Sequence, residues 1–474
     1  MSVIKFGTDG WRAAIAEDFT FQNVRLCAQA VANYLLENGD AGRGLAVGYD
    51  TRFASEHFAA AVAEVTAANG IKTYLCDRAA PTPAISYSIL PYGAAGGVVI
   101  TASHNPWTDN GFKYKMDFGA SATPEVIAQL ERHIALLEEA GGPVERLPLE
   151  EATQRGLIET FDPSILYLEK IRSLVEVDHI RQAGLRIAVD PMYGTGAGYL
   201  PLLLAHGKTQ VTEIRSERNP YFDGRGPEPI TRNLGKLIEM MQEGGYDVGL
   251  ATDGDADRLG VVDEQGRFIS QLEVFALLAL YLLEVRGERG DIVKSVTSTS
   301  MLYRLGEIYG VPIHEMPVGF KYIGAKMREV NALMGGEESG GFAFRGHIPE
   351  RDGTLAGLYF LDLMVRLNMR PSQLVAYLFN KVGPHHYDRV DIRLTPERRT
   401  AVLQRLQEVH PTSLGGIPVK ETDTTDGFRF ILQDGSWLLF RFSGTEPVLR
   451  IYTETDSPER VRQLLSEGQK LAAV

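Results

Sequence analysis

An α/β fold with mainly parallel sheets, repeated along the chain and closed by a different C-terminal module, is what this sequence predicts. Three observations carry that expectation. Short aliphatic and β-branched runs alternate with stretches of helical apolar periodicity. The alternation starts afresh three times. The tail beyond residue 380 abandons it for closely spaced strands of period two.

Taken in order, residues 23–36 space their apolar side chains as an amphipathic helix, and 44–49 read as a strand. A helical stretch at 57–69 is followed by strands at 71–75 and 97–101. Parallel neighbours need a crossover, usually a helix, and this order supplies one. The pattern restarts at 185–189 and runs on through apolar segments at 246–252 and 259–262. A third start at 291–296 leads to strands expected at 311–316 and 332–334. The three blocks suggest a duplicated unit, although no repeat is visible residue by residue. In the tail, strands at 390–394, 427–432, 436–442 and 448–453 accompany helices at 397–410 and 458–472. That is an α+β module with an antiparallel sheet. Weakly patterned connections at 141–143, 263–267 and 381–384 divide the chain into domains 1–150, 151–266, 267–380 and 381–474.

Composition narrows the function. A chain of 474 residues, 44% hydrophobic and 23% charged, is globular and too long for one core. A net charge of −13 without any lysine-arginine block argues against nucleic acid or an anionic membrane as partner. Small molecules are the expected partners, and no protein partner is evident. The two cysteines, Cys27 and Cys76, lie in apolar stretches and form no Cys-x-x-Cys pair. They fit a reducing compartment and exclude a zinc-cysteine site. With no apolar leader and no span of membrane length, a cytoplasmic protein is expected.

Chemistry concentrates in loops that follow strands, where α/β folds place their functional groups. In Asp253-Gly-Asp255-Ala-Asp257-Arg258, three carboxylates alternate with the two smallest residues between two buried strands. Converging carboxylates repel one another unless a cation joins them, and hard oxygen ligands suit Mg²⁺. The adjacent guanidinium suits a phosphate. An EF-hand reading fails because Arg258 stands where that loop turns on glycine, and the flanks are strands. A solvated acidic turn is the plainer alternative. Thr101-Ala-Ser103-His104-Asn-Pro106 follows another strand and presents Ser103 in a turn, without the Gly-x-Ser-x-Gly elbow of a hydrolase. Lys113 follows closely, as base or phosphate ligand. Gly335-Gly-Glu337-Glu338-Ser339-Gly-Gly341 offers acids and a hydroxyl suited to vicinal sugar hydroxyls. Arg441, Ser443, Gly444 and Thr445, between two tail strands, form a phosphate nest. Gly194-Thr-Gly196-Ala-Gly198 departs from the dinucleotide fingerprint at Tyr199, so NAD is rejected and a packing turn expected. No Walker lysine loop is present, and ATP has no cradle.

These four loops, with Phe6-Gly-Thr-Asp9-Gly-Trp-Arg12 at the start, resemble the α-D-phosphohexomutase family in motif, order and spacing over essentially the whole chain. The resemblance implies four domains around a central cleft. It implies a phosphoserine at Ser103 beside Mg²⁺ held by Asp253, Asp255, Asp257 and the Ser103 group itself. Arg12, His104, Lys113 and Arg258 would line the transfer site. Glu337 and Ser339, with Lys321 and Lys294, would hold the sugar, and Arg441, Ser443, Gly444 and Thr445 the non-reacting phosphate. A hexose 1,6-bisphosphate would serve as intermediate and activator. Glu338 looks like the sugar loop of glucose-preferring members, with phosphomannomutase or phosphoglucosamine mutase activity as alternatives. A metal-dependent sugar-phosphate phosphatase is the reading from a different class.

Overall fold

The computed structural model describes residues 4–142, 144–443 and 447–474. Four sheets follow one another along the chain. The first orders its strands Trp11–Ala14, Asp109–Met116, Gly96–Ile100, Leu45–Tyr49, Thr73–Cys76 and Ile158–Phe161. The last four of these are parallel, and the first two pair antiparallel. Helix Ser55–Ala68 makes the crossover between the neighbouring strands Leu45–Tyr49 and Thr73–Cys76, and helix Thr82–Tyr92 carries the chain on to Gly96–Ile100 on the other side of Leu45–Tyr49. The second sheet runs Phe268–Ile269, Leu259–Val262, Val248–Thr252, Arg186–Asp190 and Gln210–Glu213, with its last three strands parallel. The third runs Ile313–Met316, Ile292–Ser295, Met334–Gly336 and Phe342–Phe344, and only its final pair is antiparallel. The C-terminal sheet is antiparallel throughout its described pairings. The fold is therefore the expected one, three α/β units and an antiparallel module.

Two boundaries shift. Strand Ile158–Phe161 pairs with Thr73–Cys76, so the first unit continues past residue 150. Only its two end residues are buried, which leaves little apolar pattern to read. Strand Phe268–Ile269 likewise belongs to the second sheet, beyond residue 266. Residues 109–116, where no strand was expected, form one held on both sides. Its asparagine, glycine and lysines disguise it, because their polar groups are satisfied by buried partners that a sequence does not display.

Helices Gln271–Leu280 and Gly353–Leu367 are buried along almost their whole length. A helix apolar on all sides belongs inside a core rather than on its surface. Ser270 and Glu273 cap the first through a reciprocal pair of hydrogen bonds, and Asp352 caps the second. Both helices lie in one apolar cluster with Val248, Leu250 and Leu259 of the second sheet and Ile292, Phe342 and Phe344 of the third. Those two units share a single core. No helix among the described residues is long and apolar enough to cross a membrane.

The fourth unit meets the third across a charged contact. Lys294 Nζ lies 2.6 Å and Arg429 Nη1 2.8 Å from the Glu315 carboxylate. Burial works against the charge on Glu315, but Lys294 and Arg429 outweigh it and lower its pKa to about 2, from an ordinary 4.5. Burial nevertheless lowers Lys294, whose partner Glu315 is shared with Arg429. The benefit of the contact thus sits on the carboxylate, where two cations converge. A depressed carboxyl stabilises the fold fully above its unfolded value and loses that contribution as pH falls toward its folded value. We expect Glu315→Gln to remove about 3 kcal/mol of stability at neutral pH, and the gap to wild type to close between about pH 4.5 and 2. Denaturant melts of both proteins across that range check it, and a gap independent of pH would refute it.

Candidate active site

The serine loop is built on a buried arginine. Ser103 leaves strand Gly96–Ile100 with a left-handed backbone, φ 53°, unusual for a residue with a side chain. Its amide donates to Thr101 Oγ1 at 2.8 Å. Arg52 holds the rest of the loop. It donates to the carbonyls of Ser103 (2.6 Å), Asn105 (2.7 Å), Pro106 (2.8 Å) and Asp109 (2.9 Å), and pairs with Asp50 at 3.2 Å. Left-handed strain of roughly 1–3 kcal/mol persists only where surroundings over-determine it, as here. Sequence reasoning missed Arg52, although Asp-Thr-Arg directly after a predicted strand offered a signal.

Ser103 Oγ donates to Asp253 Oδ2 at 2.7 Å and so joins the first unit to the acidic loop of the second. Close approach is possible because a Cβ on Gly254 would meet the Ser103 carbonyl at 2.6 Å. Asp253, Asp255 and Asp257 are all fully buried, with ligand atoms within 4.8 Å of one another. Ala256 turns the loop with φ 56°. Asp253 Oδ1 accepts the amides of Asp257 and Arg258, and Asp255 Oδ2 accepts Thr82 Oγ1 at 2.6 Å. Asp255 Oδ1 and Asp257 Oδ1 are buried without a hydrogen-bond donor among the described residues. Burial and the neighbouring aspartates push Asp253 well above its ordinary value, and burial raises Asp257. Three buried, mutually repelling carboxylates with unsatisfied oxygens fit a hard divalent cation.

Gly194 and Gly196 back this loop. A Cβ on either would strike the carbonyls of Asp253 and Gly254 or the Thr252 hydroxyl, so the glycine motif is the packing turn expected of it.

Cations surround the acids. Lys113 Nζ, buried on its strand, lies 2.9 Å from both Asp255 and Asp9. Burial alone would lower its pKa, but Asp255, Asp9 and Asp257 outweigh that and hold the ammonium well above its ordinary value. Arg351 bridges three elements, with its Nη2 2.8 Å from Asp257 and close to Asp9, and its Nη1 3.7 Å from Glu337. Neither Asp9 nor Arg351 had been assigned a role by sequence reasoning. Arg351 sits in Glu-Arg-Asp-Gly ahead of a buried helix, a run of charges whose burial no local pattern reveals. Arg12 donates to Asn105 Oδ1 at 2.7 Å. His104 Nδ1 is 3.2 Å from Ser103 Oγ. Burial, then Arg258 and Arg12, hold His104 well below its ordinary value, so its ring is neutral near neutral pH. Arg258 contacts Glu228 at 3.4 Å, and its backbone bridges to Gly341 of the glycine-flanked acidic loop.

In that loop, Glu337 Oε1 accepts the Gly319 amide at 2.9 Å, and burial raises its pKa against the pull of Arg351. Ser339 is partly exposed beside it. Glu338 is turned toward the fourth unit, where it accepts Tyr387 Oη at 2.6 Å and Arg389 Nη1 at 3.0 Å. Lys321 lines a small recess with Gly7, Thr8 and Asp9. Lys294 Nζ is paired with Glu315. In the tail, Arg441 Nε donates to Asp426 Oδ2 at 2.9 Å, and the Ser443 carbonyl accepts Arg399. Gly444 and Thr445 lie outside the described residues.

Comparison with known proteins agrees with this assembly. The chain matches the phosphoglucomutase/phosphomannomutase α/β/α domain I over residues 3–140, domain II over 166–266, domain III over 272–382, and the C-terminal domain over 390–468. It is 31% identical to a phosphoglucomutase/phosphomannomutase of Thermococcus kodakarensis, covering 98% of each chain. A probable phosphoglucosamine mutase of Methanopyrus kandleri is 30% identical, over 98% of this chain and 96% of that one. A crystal structure from Thermus thermophilus assigned as a phosphomannomutase superposes with TM-score 0.87 at 35% identity, covering all of both chains. The expected four-domain organisation, the loops that meet at Ser103 and the matches along the chain agree: this protein belongs to the phosphoglucomutase/phosphomannomutase family and is a phosphohexomutase-type enzyme.

Proposed function

We propose that this enzyme interconverts hexose 1-phosphate and hexose 6-phosphate, with glucose as the preferred sugar, through a phosphoserine at Ser103 and a hexose 1,6-bisphosphate intermediate. The observation that carries the proposal is the 2.7 Å contact between Ser103 Oγ and Asp253, inside the buried triple-acid pocket. Asp253, Asp255 and Asp257 would hold Mg²⁺ there, and the ion would neutralise charge on the transferring group.

The protein's own residues do the rest. Phosphoryl transfer asks for positioning and charge neutralisation. Lys113, kept protonated by its carboxylates, is suited to neutralise the phosphoryl oxygens, with Arg12 and Arg258 beside it. His104, neutral and adjacent to the serine oxygen, is suited to take the proton from the attacking sugar hydroxyl and to return it. The O6 hydroxyl attacks phosphorus, the P–Oγ bond of phospho-Ser103 breaks, and the 1,6-bisphosphate forms. After the bisphosphate reverses, Ser103 Oγ attacks the phosphorus on O1, the P–O1 bond breaks, O1 takes the proton, and hexose 6-phosphate leaves with phospho-Ser103 restored. Glu337 and Ser339 would hold sugar hydroxyls in both orientations. Arg441, Ser443, Gly444 and Thr445 would grip whichever phosphate is not reacting.

Glucose rests on the resemblance of Glu337-Glu338-Ser339 to glucose-preferring sugar loops. The tie from Glu338 to Tyr387 and Arg389 weakens its use as a direct sugar contact. The relatives are named for glucose, mannose and glucosamine phosphates. Measured side by side, kcat/KM is expected to be highest for glucose 1-phosphate, and a preference for the mannose or glucosamine ester would reverse the choice.

Ser103→Ala is expected to lose about 10³-fold or more of mutase turnover. Intact mass of wild type incubated with glucose 1,6-bisphosphate should show one added phosphate that the variant lacks. Near-wild-type turnover by Ser103→Ala, or inorganic phosphate released with every cycle as by a phosphatase, would overturn the scheme. Mg²⁺ should raise the melting temperature of wild type, because it binds the folded state alone. Asp257→Asn should lose that rise, and an equal rise in both proteins would place the ion elsewhere.

A further inference from the structure

The two substrate-gripping loops of the proposed mutase lie on different units, one in the third and one in the fourth, and a short hydrogen-bonded path joins them. Asp426, in the turn before strand Phe428–Leu432, uses a single oxygen for two partners. Its Oδ2 accepts Arg441 Nε at 2.9 Å and the Val318 amide at 2.8 Å. The next amide, that of Gly319, donates to Glu337 Oε1 at 2.9 Å. Consecutive amides of one loop are therefore held by two carboxylates, one beside the phosphate arginine and one in the sugar loop. Gly319 adopts φ 133°, a conformation that side chains disfavour, so the loop's course depends on glycine here. It opens helix Phe320–Val330, which packs on the third sheet and anchors the segment to it.

We propose that Asp426 is a positioning residue that transmits engagement of the non-reacting phosphate at Arg441 to the sugar-holding carboxylate Glu337. The inference rests on the roles proposed above for Arg441 and Glu337. Its physical basis is geometric. Asp426 moves with the fourth unit, the 318–319 loop moves with the third, and their hydrogen bond fixes one against the other. When Arg441 closes on a phosphate, Asp426 carries the 318 amide with it, and the adjacent 319 amide sets Glu337. A sugar phosphate must present two chemically different ends to the same pair of grips during one cycle. A mechanical tie between those grips keeps the sugar ring registered whichever phosphate is held. The Glu338 contact with Tyr387 and Arg389 joins the same two units through the residue next to Glu337, without touching the 318–319 amides.

A double-mutant cycle tests this. Asp426→Ala removes both hydrogen bonds, whereas Asp426→Asn keeps a carbonyl oxygen for the Val318 amide and weakens the charged pairing with Arg441. Asp426→Ala is expected to lower kcat/KM for glucose 1-phosphate about 10–100-fold, as displacement of distant positioning groups does. Asp426→Asn should recover most of kcat while retaining a raised KM. Combined with Glu337→Gln, Asp426→Ala should cost less than the product of the single losses by about 5-fold or more. Losses that multiply to within about twofold would overturn the inference, as would Asp426→Asn behaving like Asp426→Ala in both constants. Hydrogen exchange supplies a second readout: glucose 1-phosphate should protect the 318–319 amides in wild type and not in Asp426→Ala, and equal protection in both would count against the tie. Absence of wild-type turnover on any hexose phosphate would instead defeat the proposed activity. Multiplicative losses in an active enzyme defeat only the coupling.

Discussion

Burial of three aspartates within one small pocket is the constraint that organises this protein. Carboxylates stripped of water and pressed together are unstable unless cations and donors reach them from every side. The chain supplies these from its first three units: Ser103, Thr82 and Lys113 from the first, backbone amides from the second, and Arg351 from the third. Each partner arrives on a rigid element or a braced loop. The pocket is thus a junction between units as well as a candidate metal site, and its electrostatics depend on correct docking of the surrounding units.

The same logic explains the buried charges behind it. Lys115, one pleat along from Lys113, pairs with Glu350 at 2.6 Å and with Asp9 at 3.2 Å, and Ser121 joins them. Glu350 and Arg351 are neighbours that face linked networks, so the third unit is fixed to the first by a strip of alternating charge. Removing one partner from such a strip leaves an uncompensated buried ion, which costs more than the pair contributes. Fidelity of geometry, rather than net stability, is what this arrangement supplies.

Much of this was visible in the amino-acid order. The acidic loop announced itself because three acids with small spacers between two apolar runs have few explanations. Ser103 was read from its turn after a strand, whereas His104 and Arg12 were assigned through the family resemblance. What escaped was assembled from distance. Arg52 and Arg351 look like ordinary surface arginines until the fold buries them, and the polar strand that carries Lys113 went unpredicted. Glu338, in the loop read as suited to sugar hydroxyls, is held by Tyr387 and Arg389, and Lys294, given to the sugar by resemblance, is paired with Glu315. Local patterns report which chemistry is present. Long-range ion pairing decides which copy of each group is used.

The apolar cluster that spans the second and third sheets has a mechanical consequence. Helices Gln271–Leu280 and Gly353–Leu367 have no solvent face to turn outward, so each of the two units would expose an oily surface if severed from the other. Family boundaries cut the chain there, but the apolar core does not. Separating the central pair would forfeit the core that both units share.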